Sequence, residues 1–290
     1  MKLSSVELVL GTAQFGLNYG IAGRGEPVPA SEVKAILAKA WDSGIRVLDT
    51  APAYGKIQSQ LDHLMGDYHF SVVTKIPKLP TDLLVEEVAA FLKPTVTQMV
   101  LDLGGRLNTI LFHNGTDLLG SLGVDAWKIL RDEIQEKGIQ LGVSCYSPEE
   151  AIAIQSQFPI QAVQLSANAL DQRIANHPNL GASLDIYIRS AFLQGVLLMD
   201  QERVAHKLPV ALDAIKHWQA WCSDHNFSPI QAALGVIKGF SGVKYCVFGV
   251  DCLAQLEEIL EAWQNAPVLQ LSEMAVQSEQ VIDPRRWVQQ

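Results

Sequence analysis

The most constraining feature of this sequence is an eightfold alternation of short apolar runs with longer helical patterns. Each run has the length and the Val, Ile and Leu content of a strand buried on both faces of a parallel sheet. Because a helical pattern follows every run, the sequence predicts one α/β domain over residues 1–290, a single (β/α)8 TIM barrel. The predicted strands are Glu7–Leu10, Arg46–Leu48, Ser71–Thr74, Thr109–Phe112, Gln140–Val143, Ala162–Leu165, Asp185–Ile188 and Lys244–Phe248.

The helical patterns begin and end at ordinary signals, such as the predicted N-cap Ser31 and the terminating Gly44. A doubly wound sheet is disfavoured, because the first strand ends in Gly-Thr-Ala-Gln-Phe-Gly and lacks a G-x-G-x-x-G turn. The other helices are predicted near 58–65, from Asp82, over 95–103, over 125–136, from Pro148, from Gln172, over 212–222, from Pro229 and over 253–263.

The composition excludes several classes of protein. With 22 Lys and Arg against 31 Asp and Glu, the net charge is -9, and no basic cluster suggests a nucleic-acid surface. No apolar run approaches the roughly 20 residues of a membrane span, and the N terminus lacks a signal-peptide core. We therefore expect a cytoplasmic protein with no nucleic-acid or membrane partner. Its scattered cysteines are predicted to be reduced: Cys145, Cys222, Cys246 and Cys252.

Polar residues at the carboxyl ends of three consecutive predicted strands indicate a catalytic site, since barrel enzymes place their active sites at that face. Asp49 ends the second strand, and Tyr54 lies in the turn beyond it. Lys75 ends the third strand and His113 the fourth. Each residue alone is more often a cap, a solvated charge or a packing residue. Together they have the chemistry of a site that polarises a carbonyl and donates a proton.

The expected roles follow from elementary electrostatics. A lysine in a barrel mouth needs a counter-ion, and Asp49 is its natural partner. The Lys75 charge is then expected to lower the pKa of Tyr54, about 10 when unperturbed, so that the phenol donates a proton more readily. A neutral His113 would donate a hydrogen bond to the substrate carbonyl.

These motifs resemble those of the aldo-keto reductases, in chain order over nearly the whole sequence. The resemblance implies a barrel that binds a nicotinamide dinucleotide and passes hydride to an aldehyde or ketone. Tyr54 would be the proton donor, supported by Asp49, Lys75 and His113. The matching segments are Leu10–Gly16, Asp49-Thr50-Ala51-x-x-Tyr54-Gly55, Thr74-Lys75, Leu111–Asn114, Leu141–Ser144 and Val163-Gln164.

The resemblance also implies cofactor contacts at the ends of the first, fifth, sixth, seventh and eighth strands. Helix N termini near the last strands would favour the phosphates. The residues assigned to the cofactor are Gly11, Thr12, Ser144, Gln164, Arg189, Ser190, Phe192, Leu193, Gln194, Gly195, Gly249, Asp251, Gln255 and Glu258.

Several positions depart from the family pattern. Arg189 replaces an aromatic that usually stacks on the nicotinamide, and Cys145 replaces an Asn. The guanidinium could stack on the ring, bind an anionic substrate or pair with an acid. After the eighth strand, Gln255 replaces the basic residue that usually holds the 2′-phosphate, and Asp251 adds a negative charge. NADPH is therefore the family default and NADH a serious rival.

The short loop 114–124 and the short tail favour a small or sugar-like carbonyl substrate, anionic if Arg189 binds it. Two alternatives to a reductase stay open. One is a regulatory barrel that binds the cofactor with little or no turnover. The other is an enzyme without nicotinamide that uses Lys75 as a Schiff-base amine.

Overall fold

The strands form one closed parallel sheet. The computed structural model describes residues 6–21, 23 and 25–287. The strands pair in sequence order, and the last pairs with the first to close the barrel. This confirms the (β/α)8 TIM barrel and excludes the doubly wound sheet. The strands are β1 (Glu7–Gly11), β2 (Val47–Asp49), β3 (Ser71–Ile76), β4 (Leu107–Phe112), β5 (Gln140–Cys145), β6 (Ala162–Ser166), β7 (Asp185–Arg189) and β8 (Val243–Phe248).

The helices surround this sheet and cover its outer face. The largest of their buried side chains, Trp218, is fully buried against the barrel. In the described part of the chain, no helix is long and apolar enough to cross a membrane. The α-helices are α1 (Ala13–Gly16), α2 (Ala30–Asp42), α3 (Ile57–Met65), α4 (Val88–Leu103), α5 (Gly123–Ile134), α6 (Pro148–Gln155), α7 (Gln201–Lys207), α8 (Leu212–Asp224), α9 (Pro229–Gly239), α10 (Leu253–Asn265) and α11 (Glu279–Ile282).

The predicted start of α2 at Ser31 is wrong, because Pro29 takes the N-cap position and Ser31 lies in the first turn. The prediction at Pro229 is confirmed. Ser228 Oγ accepts a hydrogen bond from Gln231 N, and the Ser228 amide donates one to Gln231 Oε1. Proline at the first helical position costs no hydrogen bond, so this start could be predicted locally.

Two other helix predictions are wrong. The pair of helices expected around Pro94 is one helix, α4, with Pro94 inside it. Its buried face, which includes Leu92 and Met99, holds the helix together across the missing amide. The helix expected from Gln172 is only a 3-10 turn over Arg173–Asn176. The described chain between β6 and β7 therefore contains no α-helix.

The barrel interior is a small apolar layer of inward-facing side chains at the middle of the strands. Successive strand residues point to opposite faces, so the residues two positions further along point into the barrel mouth. The interior layer contains Val9, Val47, Val73, Leu111, Ala162, Tyr187 and Val247. The mouth positions above them are Gly11, Asp49, Lys75, His113, Gln164, Arg189 and Gly249. The period of the strands therefore brings these residues to one end of the barrel.

Candidate active site

The centre of the barrel mouth is an ion pair between neighbouring strands. Lys75 Nζ on β3 lies 2.7 Å from Asp49 Oδ2 on β2 and donates a second hydrogen bond to Thr50 O at 2.9 Å. The other carboxylate oxygen, Asp49 Oδ1, accepts from Gln164 Nε2 at 2.7 Å. Lys75 and Asp49 are only 1% and 3% exposed, so both charges are almost fully removed from water.

Burial of such charges is unfavourable unless each finds a partner. Burial lowers the pKa of the Lys75 amine, and the Asp49 carboxylate and its hydrogen bond oppose this. The stability of the ion pair therefore depends on the short distances between Lys75 Nζ and its acceptors. Removal of one partner would leave the other charged and buried, whereas removal of both would not.

Tyr54 lies in the tight turn that follows β2. Its amide donates to Ala51 O at 3.0 Å, and the next residue, Gly55, has a φ of 71° that favours glycine. Gly16 packs so closely that a Cβ atom there would lie 1.8 Å from Tyr54 O. These contacts explain why the motif carries glycine at both positions.

The Tyr54 ring meets the rest of the quartet. Its centroid lies 6.1 Å from that of His113 in an edge-to-face arrangement, and Lys75 Nζ lies 5.3 Å from the ring centroid. The four residues expected from the sequence to meet therefore do so.

The expected effect of Lys75 on Tyr54 is wrong. Burial raises the pKa of Tyr54 above its usual value of about 10, and Asp49 raises it further. Arg189 acts in the opposite direction and lowers it. The physical reason is first the burial of the phenol, which disfavours the phenolate, and second the nearby carboxylate of Asp49. Tyr54 is therefore a neutral phenol at pH 7.

The His113 imidazole is neutral as well, as the sequence interpretation required. Burial lowers its pKa to about 4, and the nearby charge of Lys75 adds to the effect. A neutral imidazole can still donate one hydrogen bond from a ring nitrogen. At pH 7 the mouth thus holds two neutral hydrogen-bond donors beside a buried ion pair.

A cleft of about 340 Å³ opens above the ion pair and extends to the first turns of α10. The mouth positions above β1 and β8 are Gly11 and Gly249, which carry no side chains of their own. A Cβ atom at Gly249 would lie 2.2 Å from Gln14 Oε1. The predicted site residues that line the cleft are Gly11, Asp49, Tyr54, Gln164, Arg189, Ser190, Phe192, Gln194, Gly195, Gly249, Asp251, Gln255 and Glu258.

Five predicted residues do not line the cleft. Lys75 and His113 lie beside it, where Lys75 contacts Asp49 and the His113 ring contacts Tyr54. Ser144 is buried near the end of β5, and the Thr12 hydroxyl donates to the Thr50 hydroxyl at 2.9 Å. Leu193 is fully buried in the core. A cofactor role for Thr12, Ser144 or Leu193 stays a prediction.

The sequence interpretation missed several cleft residues. Gln14, Tyr19 and Arg203 line the cleft, and they come from α1, the loop after β1 and α7. Lys207 Nζ on α7 donates to Ile21 O in that loop at 2.6 Å, so the loops after β1 and β7 meet across one side of the cleft. No local pattern indicates this contact. For Gln14 a signal exists, since it lies within the motif Leu10–Gly16.

Ser166 is a second missed residue. It lies two positions beyond Gln164 on β6, and its Oγ atom is buried with no hydrogen-bond partner among the described residues. An unpaired buried hydroxyl is uncommon in proteins, and a bound ligand is one way to satisfy it.

Arg189 is held by an aromatic ring. Its guanidinium carbon lies 4.2 Å from the Tyr146 ring centroid, and Nη2 donates to Cys145 O at 3.3 Å. Arg285 contacts the same ring at 3.5 Å but is paired with Asp283. Among the described residues, Arg189 forms no salt bridge with a carboxylate. The acid-paired interpretation of Arg189 is therefore wrong, and its charge faces the cleft.

The segment after β7 has an unusual backbone. Ser190, Leu193 and Gln194 have φ values of 62°, 49° and 52°, in the left-handed region that non-glycine residues rarely adopt. Such conformations cost roughly 1–3 kcal/mol each and are concentrated at functional sites. Ser190 and Gln194 both line the cleft.

Comparison with known proteins agrees with this geometry. The model of the aldo/keto reductase family matches residues 7–278. The chain belongs to the aldo/keto reductase family. The chemistry general to this family is NAD(P)H-dependent reduction of small carbonyl compounds.

Individual relatives are more distant. Pyridoxal 4-dehydrogenase from Microbacterium luteolum is 34% identical over 119 residues, which cover 39% of this chain and 30% of that protein. An aldo-keto reductase from Bacillus halodurans is 16% identical with a TM-score of 0.73, over 99% of this chain and 98% of that one. A glycerol dehydrogenase from Gluconobacter oxydans is 18% identical with a TM-score of 0.65, over 90% and 86%. At these identities the two structures show the shared fold alone.

Replacement of Lys75 by Met should reduce the free energy of unfolding by about 3–5 kcal/mol, because Asp49 is then left buried and unpaired. The double variant with Asp49→Asn should recover part of this loss. Denaturant unfolding followed by circular dichroism measures both changes.

The matched control is Lys244→Met, which removes a surface partner 3.0 Å from Asp185. The loss there should stay below about 1 kcal/mol, since exposed ion pairs contribute little. Equal losses in the two single variants would contradict the structural role of the buried pair.

Proposed function

We propose that this protein reduces an aldehyde or ketone to an alcohol with a nicotinamide dinucleotide, and that Tyr54 donates the proton. The observation that carries the proposal is the contact of the Tyr54 ring with both His113 and Lys75, at the edge of a cleft that continues to α10. Family membership supports the reaction class, and the geometry supports the roles of individual residues.

The cleft residues fit a nicotinamide dinucleotide. Gly11 and Gly249 present backbone at the barrel rim, where a flat ring and a chain of phosphates would cross, and the Gln14 side chain lies against Gly249. Gln164 and the buried hydroxyl of Ser166 lie at the end where a carboxamide would bind, and Ser190 and Gln194 lie along the middle. The bound cofactor supplies a hydride to the carbonyl carbon.

The protein residues supply the proton and the orientation. Tyr54 and His113 both donate hydrogen bonds to the carbonyl oxygen and hold it at the edge of the cleft. As the carbonyl carbon is reduced, its oxygen gains negative charge and becomes more basic than a phenolate. The proton of Tyr54 Oη then moves to that oxygen, and solvent returns a proton to the phenolate.

The raised pKa of Tyr54 is compatible with this role. It keeps the phenol protonated over the whole physiological range, so the donor is always loaded. Arg189 lowers the pKa of Tyr54, because its positive charge stabilises the phenolate that forms during transfer. The ion pair of Lys75 and Asp49 gives the Tyr54 ring a rigid support.

A Schiff-base role for Lys75 is disfavoured. The amine is 1% exposed and donates hydrogen bonds to Asp49 and Thr50 O, so a carbonyl carbon has no path to it. The buried ion pair would also have to break before the amine could act as a nucleophile.

The substrate class follows from Arg189. A guanidinium that has no carboxylate partner among the described residues, beside the reacting phenol, favours a substrate with a carboxylate or phosphate group. The cleft is moderate in volume, so a small or sugar-like anionic carbonyl compound fits best. Pyridoxal, the compound in the name of the Microbacterium relative, belongs in a first panel of substrates.

Three further inferences from the sequence stay proposals. We infer a single barrel domain, supported by the closed sheet between residues 7 and 248. A cytoplasmic location and the lack of a nucleic-acid partner stay predictions.

Replacement of Tyr54 by Phe should lower kcat by roughly 10²–10⁴-fold, because general acid catalysis contributes about that much. Cofactor affinity should change less than about threefold, since the ring remains. Steady-state reduction of a panel of aldehydes, with fluorescence titration of the cofactor, measures both quantities.

Tyr68→Phe is the matched control, because Tyr68 packs against Trp41 and Phe70 far from the mouth. Its activity should equal that of the unaltered protein. Tight cofactor binding without turnover in the unaltered protein would instead favour the regulatory barrel.

Replacement of Arg189 by Met should selectively weaken the binding of an anionic substrate. For D-glyceraldehyde 3-phosphate we expect KM to rise by about tenfold or more, as one charge-assisted contact is lost. For uncharged D-glyceraldehyde it should rise less than threefold. An equal loss for both compounds would assign Arg189 to the cofactor, and Arg189→Lys should restore part of the discrimination.

A further inference from the structure

The N terminus of α10 is capped by a carboxylate from a distant part of the chain. The amide of Leu253, the first residue of the helix, donates to Glu32 Oε1 on α2 at 2.7 Å, across 221 positions of sequence. The residue at the N-cap position, Cys252, makes no capping hydrogen bond with its side chain. A helix N terminus attracts anions, and here the chain itself provides one.

A neighbouring backbone donor is occupied as well. Asp251 N donates to Gln255 Oε1 at 2.7 Å. Two amides at the start of α10 are therefore already bonded to side chains of the protein. A phosphate that approached this end would have to displace them, and would meet the negative charge of Glu32.

This end of α10 borders the same cleft as Tyr54. Asp251, Gln255 and Glu258 line the cleft there. A dinucleotide whose nicotinamide lies beside Tyr54 and Gln164 has to place its adenosine at the other end of the same cleft. Asp251 and Glu258 line that end of the cleft, and Glu32 lies next to it at the first amide of α10. A ribose hydroxyl can donate a hydrogen bond to a carboxylate.

Lys238, Lys39 and Lys244 are held by other groups. Lys238 donates to Trp263 O and Ala266 O near the opposite end of α10, and Lys39 pairs with Glu257. Lys244 pairs with Asp185, the first residue of β7, at the other end of the barrel. Arg203 on α7 does line the cleft, beside the segment after β7. That position suits the pyrophosphate, which NADH and NADPH share.

We propose that Glu32 is a specificity-determining residue, which makes this protein select NADH over NADPH. Its carboxylate occupies the N terminus of α10 and repels a 2′-phosphate. The proposal rests on the proposed function, because it requires a nicotinamide dinucleotide in the cleft. It decides between the two cofactors that the sequence leaves open.

The test is fluorescence titration of the full-length protein with NADH and with NADPH. The unaltered protein should bind NADH about tenfold or more tightly than NADPH. Glu32→Gln keeps an acceptor oxygen for Leu253 N and removes only the charge. It should improve NADPH affinity by about tenfold and leave NADH affinity within twofold. Salt should shrink the difference, because screening weakens charge repulsion.

Two further variants separate the charge effect from other causes. Glu261→Gln removes a carboxylate charge in the same way on α10, two turns beyond Leu253, at an exposed residue outside the cleft. It should change neither the NADH nor the NADPH affinity by more than twofold. Arg203→Ala should weaken both cofactors by similar factors, as expected of a pyrophosphate contact.

The outcomes that overturn the proposal are distinct. If the unaltered protein binds NADPH more tightly than NADH, the proposal is wrong. It is also wrong if Glu32→Gln leaves the ratio of the NADH and NADPH affinities unchanged. An equal loss of both affinities in that variant would show that Glu32 only caps the helix. An Arg203→Ala variant that loses NADPH alone would assign the 2′-phosphate to Arg203. Failure of the unaltered protein to bind either cofactor would overturn the proposed function itself.

Discussion

The buried ion pair between Asp49 and Lys75 is the interaction on which the mouth of this barrel depends. It joins the ends of β2 and β3, and the hydrogen bond from Gln164 ties β6 to the same carboxylate. Two charges removed from water are stable only in a narrow geometry, so the pair holds three strand ends at set distances. Tyr54 and His113 rest against this support as neutral donors, and Arg189 faces them from β7.

Much of the fold and the quartet could be predicted from sequence, because both depend on short-range patterns. Strands buried on both faces are apolar throughout, and their period of two places Asp49, Lys75 and His113 directly above interior residues. The errors arose where packing outweighed local signals. The pattern predicts two helices, one from Asp82 and one over 95–103, yet the buried face of α4 continues through Pro94. Around Gln172 a helix-like pattern forms only a 3-10 turn.

The rest of the site could not be predicted, because it depends on contacts between distant segments. The ring beneath Arg189 belongs to Tyr146, and the cap of α10 belongs to Glu32. The direction of the Tyr54 pKa shift required knowledge of burial and of Asp49, beyond the presence of a nearby lysine. The electrostatics of the two ends of the cleft thus emerge only from the three-dimensional arrangement. One end holds the neutral donors Tyr54 and His113 beside the buried ion pair, and the other end carries the carboxylates of Asp251 and Glu258.

The central claim is that the cleft brings a reduced nicotinamide to a carbonyl group beside Tyr54. Its most direct test is transfer of deuterium from reduced nicotinamide dinucleotide labelled at C4 to an aldehyde that the protein accepts, followed by mass spectrometry of the alcohol. When the label is on the face that transfers hydride, direct transfer predicts one deuterium on the carbinol carbon of each product molecule. If the nicotinamide is oxidised but the alcohol carries no deuterium with either face labelled, the result contradicts this account.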